Sequence, residues 1–493
     1  MKILMIYPKC PETFWGFKYA LRFISKKASL PPLGLLTVAS LLPANWEKRL
    51  IDTHVKKLTN RDILWADYVF ISAMIIQEKS VREVIERCKA LGRKIVAGGP
   101  LFTTNLEQFS DVDHLVLNEA EVNLPKFITD LKNGNPEHIY DNTRKADMTK
   151  SPLPMLDLIK SRPYATMSIQ FSRGCPLDCE FCNVTVLLGR QYRTKTKEQI
   201  LMEMENIYRK GWKGGVFFVD DNFIGNKAKL KNEILPAIIG WMRAKNYPFS
   251  FITQASLDLS DDPELMKMMA LAGFNVVFIG IESVDEKSLL ECNKFKNQNR
   301  DLIACVKKIQ KNGLEVQAGF IVGFDSDSPT IFERIIDFVQ KSGIATSMVG
   351  MLNAPKGTKL YKRLQREGRI VKADTGDNTD FATNLEPLMG SETLLNGYRK
   401  ILQKIYSPKY YYARLIIFLK NYKPLSLNRH NFSFNRIMAG LKSVLWLGII
   451  GKERVQYWKI FFWSLLKKPK LFPLAITLSI YGHHFRRVFE KQK

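Results

Sequence analysis

Two long stretches of the chain alternate short apolar runs with helical segments, and this alternation limits the folds that they can adopt. Strands that alternate with helices are typical of parallel sheets covered by helices. For residues 1–135 we therefore expect a doubly wound, flavodoxin-like α/β sheet. Its strands are predicted near 2–7, 49–53, 68–72, 94–97 and 114–117, and its helices near 33–42, 78–91 and 121–132.

The same rhythm returns in residues 164–370. Six strand–helix units predict a partial (β/α)6 barrel, whose active site lies at the C-terminal ends of the strands. Residues 136–163, which are stiffened by Pro152, Pro154 and Pro163, are predicted to be a linker between the two sheets. The barrel strands are predicted near 167–171, 215–219, 250–253, 276–280, 317–322 and 347–351.

Cys175, Cys179 and Cys182 follow the first predicted barrel strand with C-x3-C-x2-C spacing. Thiolates hold iron–sulfur clusters, and three ligands leave one iron of a cubane open to a small molecule. A structural zinc site needs four ligands, and the next cysteine, Cys292, is too distant for ribbon or finger spacing. With seven cysteines in 493 residues and no signal peptide, a disulfide framework is not expected.

The cysteine loop, including Phe181 just before the third cysteine, resembles the radical S-adenosylmethionine (SAM) enzymes. The resemblance implies that Cys175, Cys179 and Cys182 are catalytic and hold a [4Fe-4S] cluster. In that superfamily the open iron binds the amine and carboxylate of SAM. Reductive cleavage of SAM then releases a 5′-deoxyadenosyl radical.

Several residues at the ends of the later barrel strands match positions that contact SAM in this family. The acidic turn from Asp220 to Asn222 stands where the family binds the SAM amino group, and glycines near the strand ends admit a flat base. Each of these residues could instead be an ordinary turn at a strand end, and the sequence leaves open which aspartate acts. The implied SAM contacts are Phe181, Asp220, Asp221, Gln254, Ser256, Gly280, Glu282 and Ile321.

Four features of residues 1–135 resemble the cobalamin-binding domain that precedes the radical SAM domain in one large subclass. They are the segment 30–35 before the first helix, Ser72 after the third strand, Gly98 and Gly99 after the fourth, and Glu119 after the fifth. Ligands of such sheets bind at the carboxyl edge of the strands. The resemblance implies cobalamin contacts there, and the alternative is a flavodoxin-like domain that binds nothing.

Asp52 and His54 partly match the Asp-x-His-x-x-Gly pattern of cobalamin domains in which a histidine ligates cobalt, but Lys57 occupies the glycine position. We include both residues among the expected cobalamin contacts. Many radical SAM relatives leave the lower face of cobalt without a protein ligand. The alternative is therefore an exposed loop histidine at the strand end.

Residues 371–493 are predicted to form a mainly helical, basic C-terminal domain. From Arg399 onward there are 20 lysines and arginines against two acids, which accounts for +18 of the net charge of +26. Aromatic residues from Trp446 to Phe472 alternate with lysines, as suits an anionic membrane surface; RNA binding and a helical cap with core aromatics are the alternatives. The longest uncharged stretch, 471–484, contains Pro473 and is too short to span a membrane.

The tail, with the segment 376–381 before it, resembles the C-terminal domain of a cobalamin-dependent subgroup that includes hopanoid C-2 methylases and archaeal lipid ring-forming synthases. The resemblance implies a cobalamin-dependent radical SAM methyltransferase that methylates an unactivated carbon of a lipid or isoprenoid. A radical SAM cyclase or C–C coupling enzyme acting on a lipid and an RNA-modifying radical SAM enzyme are the alternatives. Methylthio transfer is disfavoured because the N-terminal domain lacks further clustered cysteines.

The expected cofactors are a [4Fe-4S] cluster, SAM and cobalamin, because the resemblance implies all three. The expected partners are a small hydrophobic substrate and an electron donor such as flavodoxin or ferredoxin. Contact with the membrane through the basic tail would be peripheral, and nucleic acid is not an expected partner. The predicted location is the cytoplasm, with peripheral association at the inner face of the membrane.

Overall fold

The computed structural model describes residues 1–425 and 434–490. Two six-stranded parallel sheets follow one another along the chain, and helices make up the C-terminal region. The fold class predicted from the sequence is therefore confirmed. The domain boundaries at 135, 163 and 370 stay predictions.

The first sheet has the strand order β2-β1-β3-β4-β5-β6, and all its strands are parallel. Separate apolar cores fill its two faces, as a doubly wound sheet requires. The strands are β1 (Lys2–Tyr7), β2 (Glu47–Asp52), β3 (Tyr68–Ser72), β4 (Lys94–Gly98), β5 (His114–Val116) and β6 (Ile139–Tyr140). The helices are α1 (Lys18–Leu21), α2 (Leu33–Leu41), α3 (Asn60–Trp65), α4 (Glu78–Ala90), α5 (Pro100–Thr104) and α6 (Ala120–Lys132).

Strand β6 lies inside the segment 136–163 that was predicted to be a linker. It has only two residues, of which Tyr140 is buried, and so it carries no alternating pattern that a sequence could reveal. It pairs with β5 and extends the sheet by one strand. The first sheet therefore reaches further along the chain than its apolar runs indicated.

The second sheet has the order β14-β13-β12-β11-β10-β7, and it is parallel throughout. Within the described residues no pairing joins β7 to β14, so the barrel is partial, as predicted. Strands β8 and β9 form a separate antiparallel pair. The strands are β7 (Met167–Ile169), β8 (Ser172–Arg173), β9 (Arg193–Thr194), β10 (Gly214–Phe218), β11 (Phe249–Ala255), β12 (Phe274–Glu282), β13 (Glu315–Val322) and β14 (Ser347–Met351).

Helices cover the outer face of this second sheet, and a π-helical turn, Leu230–Ile234, joins α9 to α10. Outward-facing strand residues such as Phe251, Val277 and Val316 are buried beneath the helices. The helices are α7 (Val184–Leu187), α8 (Lys197–Arg209), α9 (Lys227–Lys229), α10 (Leu235–Ala244), α11 (Pro263–Ala272), α12 (Glu286–Glu291), α13 (Leu302–Lys311), α14 (Ile331–Ser342) and α15 (Lys359–Arg366).

The long loop between β1 and α2 crosses from the first sheet to the inner face of the second. The Trp15 indole N–H donates to the Met348 sulfur at 3.0 Å, and its ring meets Phe278 edge-on with ring centroids 5.4 Å apart. Phe278 and Met348 lie on the inner face, beside Gly319. The first domain thus contributes an aromatic side chain to the barrel interior.

The C-terminal helices pack on the barrel and share its core. Phe14 and Phe485 stack with ring centroids 4.2 Å apart, and Tyr457 is fully buried. Trp446 and Phe462, by contrast, are about half exposed, at 51% and 54%. The helices are α16 (Ser391–Ile405), α17 (Pro408–Asn421), α18 (Phe434–Ser443), which continues into a π-helix (Val444–Ile450), α19 (Arg454–Lys467) and α20 (Phe472–Glu490).

The aromatic residues of the tail therefore fit two of the interpretations made from the sequence, a helical cap with core aromatics and a surface for contact with a partner. Most of them belong to the core of a helical cap, whereas a smaller set remains on the surface. None of the helices in the described part of the chain is long and apolar enough to cross a membrane.

Candidate functional site

The cysteine loop connects β8 to α7 beside the carboxyl end of β7. Gly174 begins it with φ of +84°, in the left-handed region, and an added Cβ would overlap the carbonyl oxygen of Gln191. The Cys175 N–H donates to the Gly189 carbonyl at 3.2 Å, and the Cys182 N–H donates to the Cys179 carbonyl at 3.2 Å. The turn brings the cysteine side chains together from one short segment.

The three thiols are shielded from solvent: Cys175 and Cys179 are buried and Cys182 is partly buried. Burial raises the pKa of Cys182 to about 12, and the neighbouring Cys179 and Cys175 add to the shift. These thiols would therefore have to lose their protons to hold a metal cluster. No group of three or more acidic, histidine or cysteine side chains in the described residues is arranged around a single metal ion. Three thiols from one loop suit a cluster, in which the ligands need not converge on one ion.

Phe181 anchors the cysteine loop to the ends of the last barrel strands. It packs at the edge of a small apolar core, and its ring centroid lies 6.3 Å from that of Phe324. The preceding residue, Glu180, accepts a hydrogen bond from Arg363 Nε at 2.9 Å and donates its N–H to the Cys292 carbonyl. These contacts fix the loop from its C-terminal side.

The structure separates the roles of the two adjacent aspartates. Asp220 is fully buried and accepts hydrogen bonds from the Phe171 N–H and from the N–H and hydroxyl of Ser172, so it ties β10 to the segment before the cysteine loop. Burial raises its pKa to about 7. Asp221 is less buried and lies close enough to Cys175 and Cys182 to influence their pKa values. Burial raises the pKa of Asp221 to about 6.

Ser256 and Gln254 lie at the end of β11. The Ser256 N–H donates to Asn222 Oδ1 at 3.2 Å, and its hydroxyl donates to Asp258 Oδ1 at 2.5 Å. Gln254 is half-buried, with its neighbours Thr253 and Ala255 buried on the opposite face. Asn222 ends the acidic turn that the sequence predicted, and its contact with Ser256 joins that turn to the end of β11.

Glu282, at the end of β12, has a positive φ of +66° and lies against Gly280, where an added Cβ would overlap its carboxylate. Its carboxylate accepts a hydrogen bond from Lys294 Nζ at 2.9 Å, and both side chains are buried. Glu282, with Cys179 nearby, outweighs the effect of burial and raises the pKa of Lys294. Lys294 was not predicted, because a single lysine beyond a strand end carries no distinguishing pattern.

Ile321, the remaining implied SAM contact, is half-buried near the end of β13. It packs beside the same small core that receives Phe181. The implied SAM residues therefore gather at one end of the barrel, around the cysteine loop, with Asp220 turned to an internal structural role.

A cavity of about 380 Å³ lies between the two sheets. Its walls come from the carboxyl ends of β3, β4 and β5, from α2, and from the barrel residues Gln170 and Arg173. The lining is mainly apolar, with Ser72, Gly98 and Gly99 among its members. The sequence-predicted cobalamin residues at these strand ends thus share one cavity, which opens beside the cysteine-bearing hairpin.

The two glycines of this cavity allow close approach of neighbouring strands. An added Cβ at Gly98 would lie 2.5 Å from the Val116 carbonyl oxygen. Gly99 has φ of +91°, and a Cβ there would lie 2.8 Å from Ser72 Oγ. Larger residues would displace the strand ends that form the cavity floor.

Glu119 lines the cavity, but its carboxylate is hydrogen-bonded to two arginines. It accepts two hydrogen bonds from Arg193 at 2.8 and 2.9 Å and one from Arg173 at 3.1 Å. Arg173 also pairs with Glu121 at 2.8 Å. Since both arginines belong to the β8–β9 pair, this network, which we name the interdomain clamp, fastens the cysteine-bearing hairpin to the first domain.

Asp52 and His54 are not part of this cavity. Asp52 ends β2, which is the edge strand of the sheet, whereas the cavity lies over β3, β4 and β5. His54 Nδ1 lies 2.8 Å from Asp52, and its Nε2 accepts the Cys10 N–H at 2.9 Å. Both ring nitrogens are thus engaged within the protein, and the contact of His54 with cobalamin stays a prediction.

Comparison with known proteins gives two family matches. Residues 169–339 match the radical SAM superfamily, and residues 358–493 match a domain of unknown function, DUF4070. An uncharacterized methyltransferase of Synechocystis sp. is 39% identical, with 98% of this chain and 91% of that protein covered. The hopanoid C-2 methylase of Rhodopseudomonas palustris is 30% identical, with 98% of this chain and 92% of that protein covered.

Two solved structures are similar across most of the chain. The cobalamin-dependent S-adenosylmethionine radical enzyme OxsB, solved with aqua-cobalamin and S-adenosylmethionine, has a TM-score of 0.65 and 17% identity, and the match covers 100% of this chain and 79% of OxsB. The radical S-adenosylmethionine methyltransferase TsrM from Kitasatospora setae has a TM-score of 0.59 and 14% identity, with 90% and 98% covered. At these identities the likeness establishes the shared fold.

Proposed function

The chain belongs to the family of radical SAM methylases that includes hopanoid C-2 methylase, and on this basis we propose that it is a cobalamin-dependent methyltransferase acting on an unactivated carbon of a lipid or isoprenoid. The observation that carries the proposal is the position of the cavity between the sheets. It brings the expected cobalamin residues beside the hairpin that presents the three cysteines. Two cofactors that act on one substrate must lie next to one another.

We assign the cluster to Cys175, Cys179 and Cys182, because three shielded thiols from one loop provide the donor set that a [4Fe-4S] cluster needs. When bound, the cluster and SAM supply a radical that removes hydrogen from the acceptor, and cobalamin supplies the methyl group. Among the two aspartates we assign Asp221 to the SAM ammonium group, since Asp220 is occupied by three internal hydrogen bonds. Lys294 and Glu282 position charge beside Cys179.

The cavity residues Ser72, Gly98 and Gly99 would hold cobalamin. Glu119 would act indirectly, because its carboxylate holds Arg193 and Arg173. In this arrangement residues 1–135 bind cobalamin, 136–163 connect the sheets, 164–370 form the radical SAM barrel and 371–493 form the basic C-terminal domain. Among the described residues that line the cavity there is no histidine, so cobalamin would be held there by the strand-end residues.

A hydrophobic acceptor is supported by the interior of the barrel. Trp15, Phe278 and Met348 present aromatic and thioether surface on the inner face of the sheet. Cyclisation or C–C coupling of a lipid is the second candidate, because the same surface would suit its substrate. The two reactions differ in product mass: methylation adds one methyl group, whereas cyclisation or coupling removes hydrogens without adding one.

The test is anaerobic reconstitution of the full chain with iron, sulfide and hydroxocobalamin, followed by analysis of SAM products under reduction. We expect bound cobalamin and formation of both 5′-deoxyadenosine and S-adenosylhomocysteine. Cys179→Ala should abolish 5′-deoxyadenosine, whereas Cys292→Ala, a buried cysteine outside the loop, should retain cluster iron. His54→Ala should leave the cobalamin absorption and electron paramagnetic resonance spectra unchanged.

Other outcomes would contradict defined parts of the proposal. If 5′-deoxyadenosine formed without bound cobalamin or S-adenosylhomocysteine, the assignment as a radical enzyme would stand and the assignment as a methyltransferase would be wrong. Absence of both the cluster and deoxyadenosine would eliminate the whole assignment. If Asp221→Asn bound SAM as tightly as the unaltered protein, the assignment of the ammonium contact would be wrong.

The partners follow from this chemistry. A reductant must deliver electrons to the cluster, and we propose a flavodoxin or ferredoxin type of donor. A lipid acceptor is found in membranes, so we also propose that the enzyme works in the cytoplasm and associates peripherally with the inner face of the membrane through its basic C-terminal domain.

A further inference from the structure

Exposed apolar side chains are concentrated in one part of the C-terminal domain. Ten of the 23 large apolar residues that are exposed in the described chain lie between residues 437 and 466. We name this set the apolar ridge. Its members are Ile437, Leu441, Leu445, Trp446, Ile449, Ile450, Val455, Phe462, Leu465 and Leu466.

The ridge is built on a helical hairpin. Ile437, Leu441, Leu445 and Ile449 recur every four residues along α18 and the π-helix that follows it, so they occupy one side. The chain turns at Gly451 and returns as α19, where Val455, Phe462 and Leu466 are exposed.

Contacts within the hairpin fix its two arms and leave the ridge on the outside. The Trp458 indole N–H donates to the Gly448 carbonyl at 2.9 Å, and the Ser443 and Tyr457 hydroxyls lie 2.8 Å apart. Leu447, Tyr457 and Ile460 are fully buried against the rest of the domain. The apolar ridge is therefore the outer face of a fixed element rather than of a loose segment.

Cations without acidic neighbours surround the ridge. Lys452, Arg454, Lys459, Lys467 and Lys470 are exposed, and within the described residues none of them forms an ion pair. The single acid in the hairpin, Glu453, is buried and is bound by His483 at 3.0 Å and by Arg486 at 2.5 Å. The exposed charge of the hairpin is thus entirely positive.

We propose that this hairpin docks the enzyme on an anionic bilayer, with the apolar ridge inserted among the lipid chains and the cations against the headgroups. Apolar side chains flanked by lysine and arginine suit the boundary between headgroups and acyl chains. Pairing with a second copy of the chain would place two positively charged surfaces against each other, which disfavours a dimer through this face. The inference deepens the proposed function and rests on its lipid acceptor.

The docking face lies next to the segment that enters the barrel. Lys442 Nζ donates to the Arg22 carbonyl and to the Ser25 hydroxyl, both at 3.2 Å. Arg22 and Ser25 belong to the same β1–α2 loop that carries Trp15 to the inner face of the barrel. Docking through the hairpin would hold this loop near the membrane, where a lipid acceptor resides.

The test is flotation of the full, cluster-loaded protein with vesicles of phosphatidylcholine alone or mixed with phosphatidylglycerol. We expect the protein to float with the anionic vesicles and to remain largely unbound with the neutral ones. Leu445→Glu and Ile449→Glu should each weaken binding by about tenfold, because a carboxylate would enter the apolar layer. Leu388→Glu is the matched control, since Leu388 is 68% exposed but lies outside the hairpin.

A second measurement tests insertion directly. Lipids brominated on the acyl chain should quench the fluorescence of Trp446, and Trp446→Phe should remove that part of the quenching while the protein still binds. Equal flotation of Leu445→Glu and the unaltered protein would overturn the proposal. So would conversion of a dimer to a monomer by Leu445→Glu, because the ridge would then be an interface between copies of this chain.

Production of 5′-deoxyadenosine in solution separates this inference from the proposed function. The ridge variants should retain it, since the hairpin lies apart from the cysteine loop. A protein that forms deoxyadenosine but does not float would refute the docking surface alone. A protein that floats but forms no deoxyadenosine would refute the enzymatic proposal and leave the docking surface standing.

Discussion

Gly174 shows how a single backbone position can control the cysteine loop. Its φ of +84° is strained for any residue with a Cβ, and that atom would also overlap the Gln191 carbonyl oxygen. We expect Gly174→Ala to prevent stable cluster assembly, because relief of the overlap must move Cys175. Iron and acid-labile sulfide content after anaerobic reconstitution measures this effect.

Gly211→Ala is the matched control for this substitution. Gly211 has a similar φ of +77°, but no atom lies within 4 Å of the position where its Cβ would be. The control should carry the backbone strain, about 1–2 kcal/mol, and retain a full complement of iron. Full iron content in Gly174→Ala would show that the loop tolerates a shift at this position.

The burial of Glu315 leads to a second prediction, which concerns how the stability of the fold depends on pH. It is buried at the start of β13, where the Gln317 amide donates to it at 3.3 Å, and within the described residues no basic side chain pairs with it. Burial raises its pKa to about 7 from 4.5. The folded protein therefore binds a proton that the unfolded chain has released, and stability falls as pH rises from about 4.5 to 7.

Glu315→Gln should remove this pH dependence, because glutamine stays neutral. At pH 8 the substitution should stabilise the fold by at most roughly 3 kcal/mol, the free energy that corresponds to the pKa shift. Thermal unfolding midpoints of both proteins at about pH 5 and 8 provide the measurement. The midpoints should differ at the higher pH and converge at the lower one. A pH-independent difference would mean that packing, and not ionisation, decides the effect.

The residue scale also shows what the sequence could reveal about the site. The placement of the three cysteines on one loop was predictable, because their spacing alone specifies it. The placement of Ser72, Gly98 and Gly99 in one cavity was also predictable, because the strand ends of one parallel sheet meet at one edge. The separation of Asp220 from Asp221 was not predictable, since it depends on hydrogen bonds to Phe171 and Ser172, which are distant in the chain.

At the scale of elements, the interdomain clamp joins α6 of the first sheet to the β8–β9 pair of the second. Glu119 and both arginines are almost fully buried, so removing one charge leaves another unpaired inside the protein. We expect Glu119→Gln to destabilise the fold by about 3–5 kcal/mol and to weaken cobalamin retention, because Arg193 would lose its carboxylate partner. Thermal unfolding and the absorbance of bound cobalamin after gel filtration report both effects.

Glu137→Gln is the control for the clamp. Glu137 also pairs with a cation in the first domain, Lys126, but both side chains are more than half exposed, and exposed pairs contribute little. The control should therefore unfold like the unaltered protein. If Glu119→Gln also unfolded like the unaltered protein, the interdomain clamp would not contribute to the stability of the contact between the two domains.

Elements with strong patterns were also the ones that the sequence located well. Helix α4 has buried residues at Val81, Val84, Ile85 and Cys88, the spacing of one helical face, and it was predicted within a residue of its ends. Short elements such as β6 and β9 have two residues each and are defined by partners from elsewhere in the chain. Local sequence patterns were therefore enough to locate the main strands and helices. The β8–β9 hairpin that holds the cysteine loop could not be located in this way, because it is defined by tertiary pairing.

At the scale of the whole molecule, the C-terminal domain is part of the barrel's core as well as the carrier of the apolar ridge. Arg414 is fully buried and donates to the carbonyls of Ile405 and Ala345, and the Tyr406 hydroxyl donates to the Ser347 carbonyl at 2.6 Å. Phe485 stacks on Phe14 from the first domain. The helical domain thus contacts both the barrel and the loop that follows β1 of the first sheet.

A chain that ends after residue 406 should therefore fail to form a soluble enzyme, even though it contains all the expected cluster, SAM and cobalamin residues. Removal of α17 to α20 would expose the apolar surface that these helices cover, including Phe14, and large exposed apolar patches promote aggregation. Light scattering and gel filtration of the truncated protein test this expectation. Leu466→Ser, which changes only the ridge, should remain soluble and separates loss of the core from loss of the docking face. A soluble truncated chain that still forms 5′-deoxyadenosine would show instead that the barrel does not need α17 to α20 to complete its core.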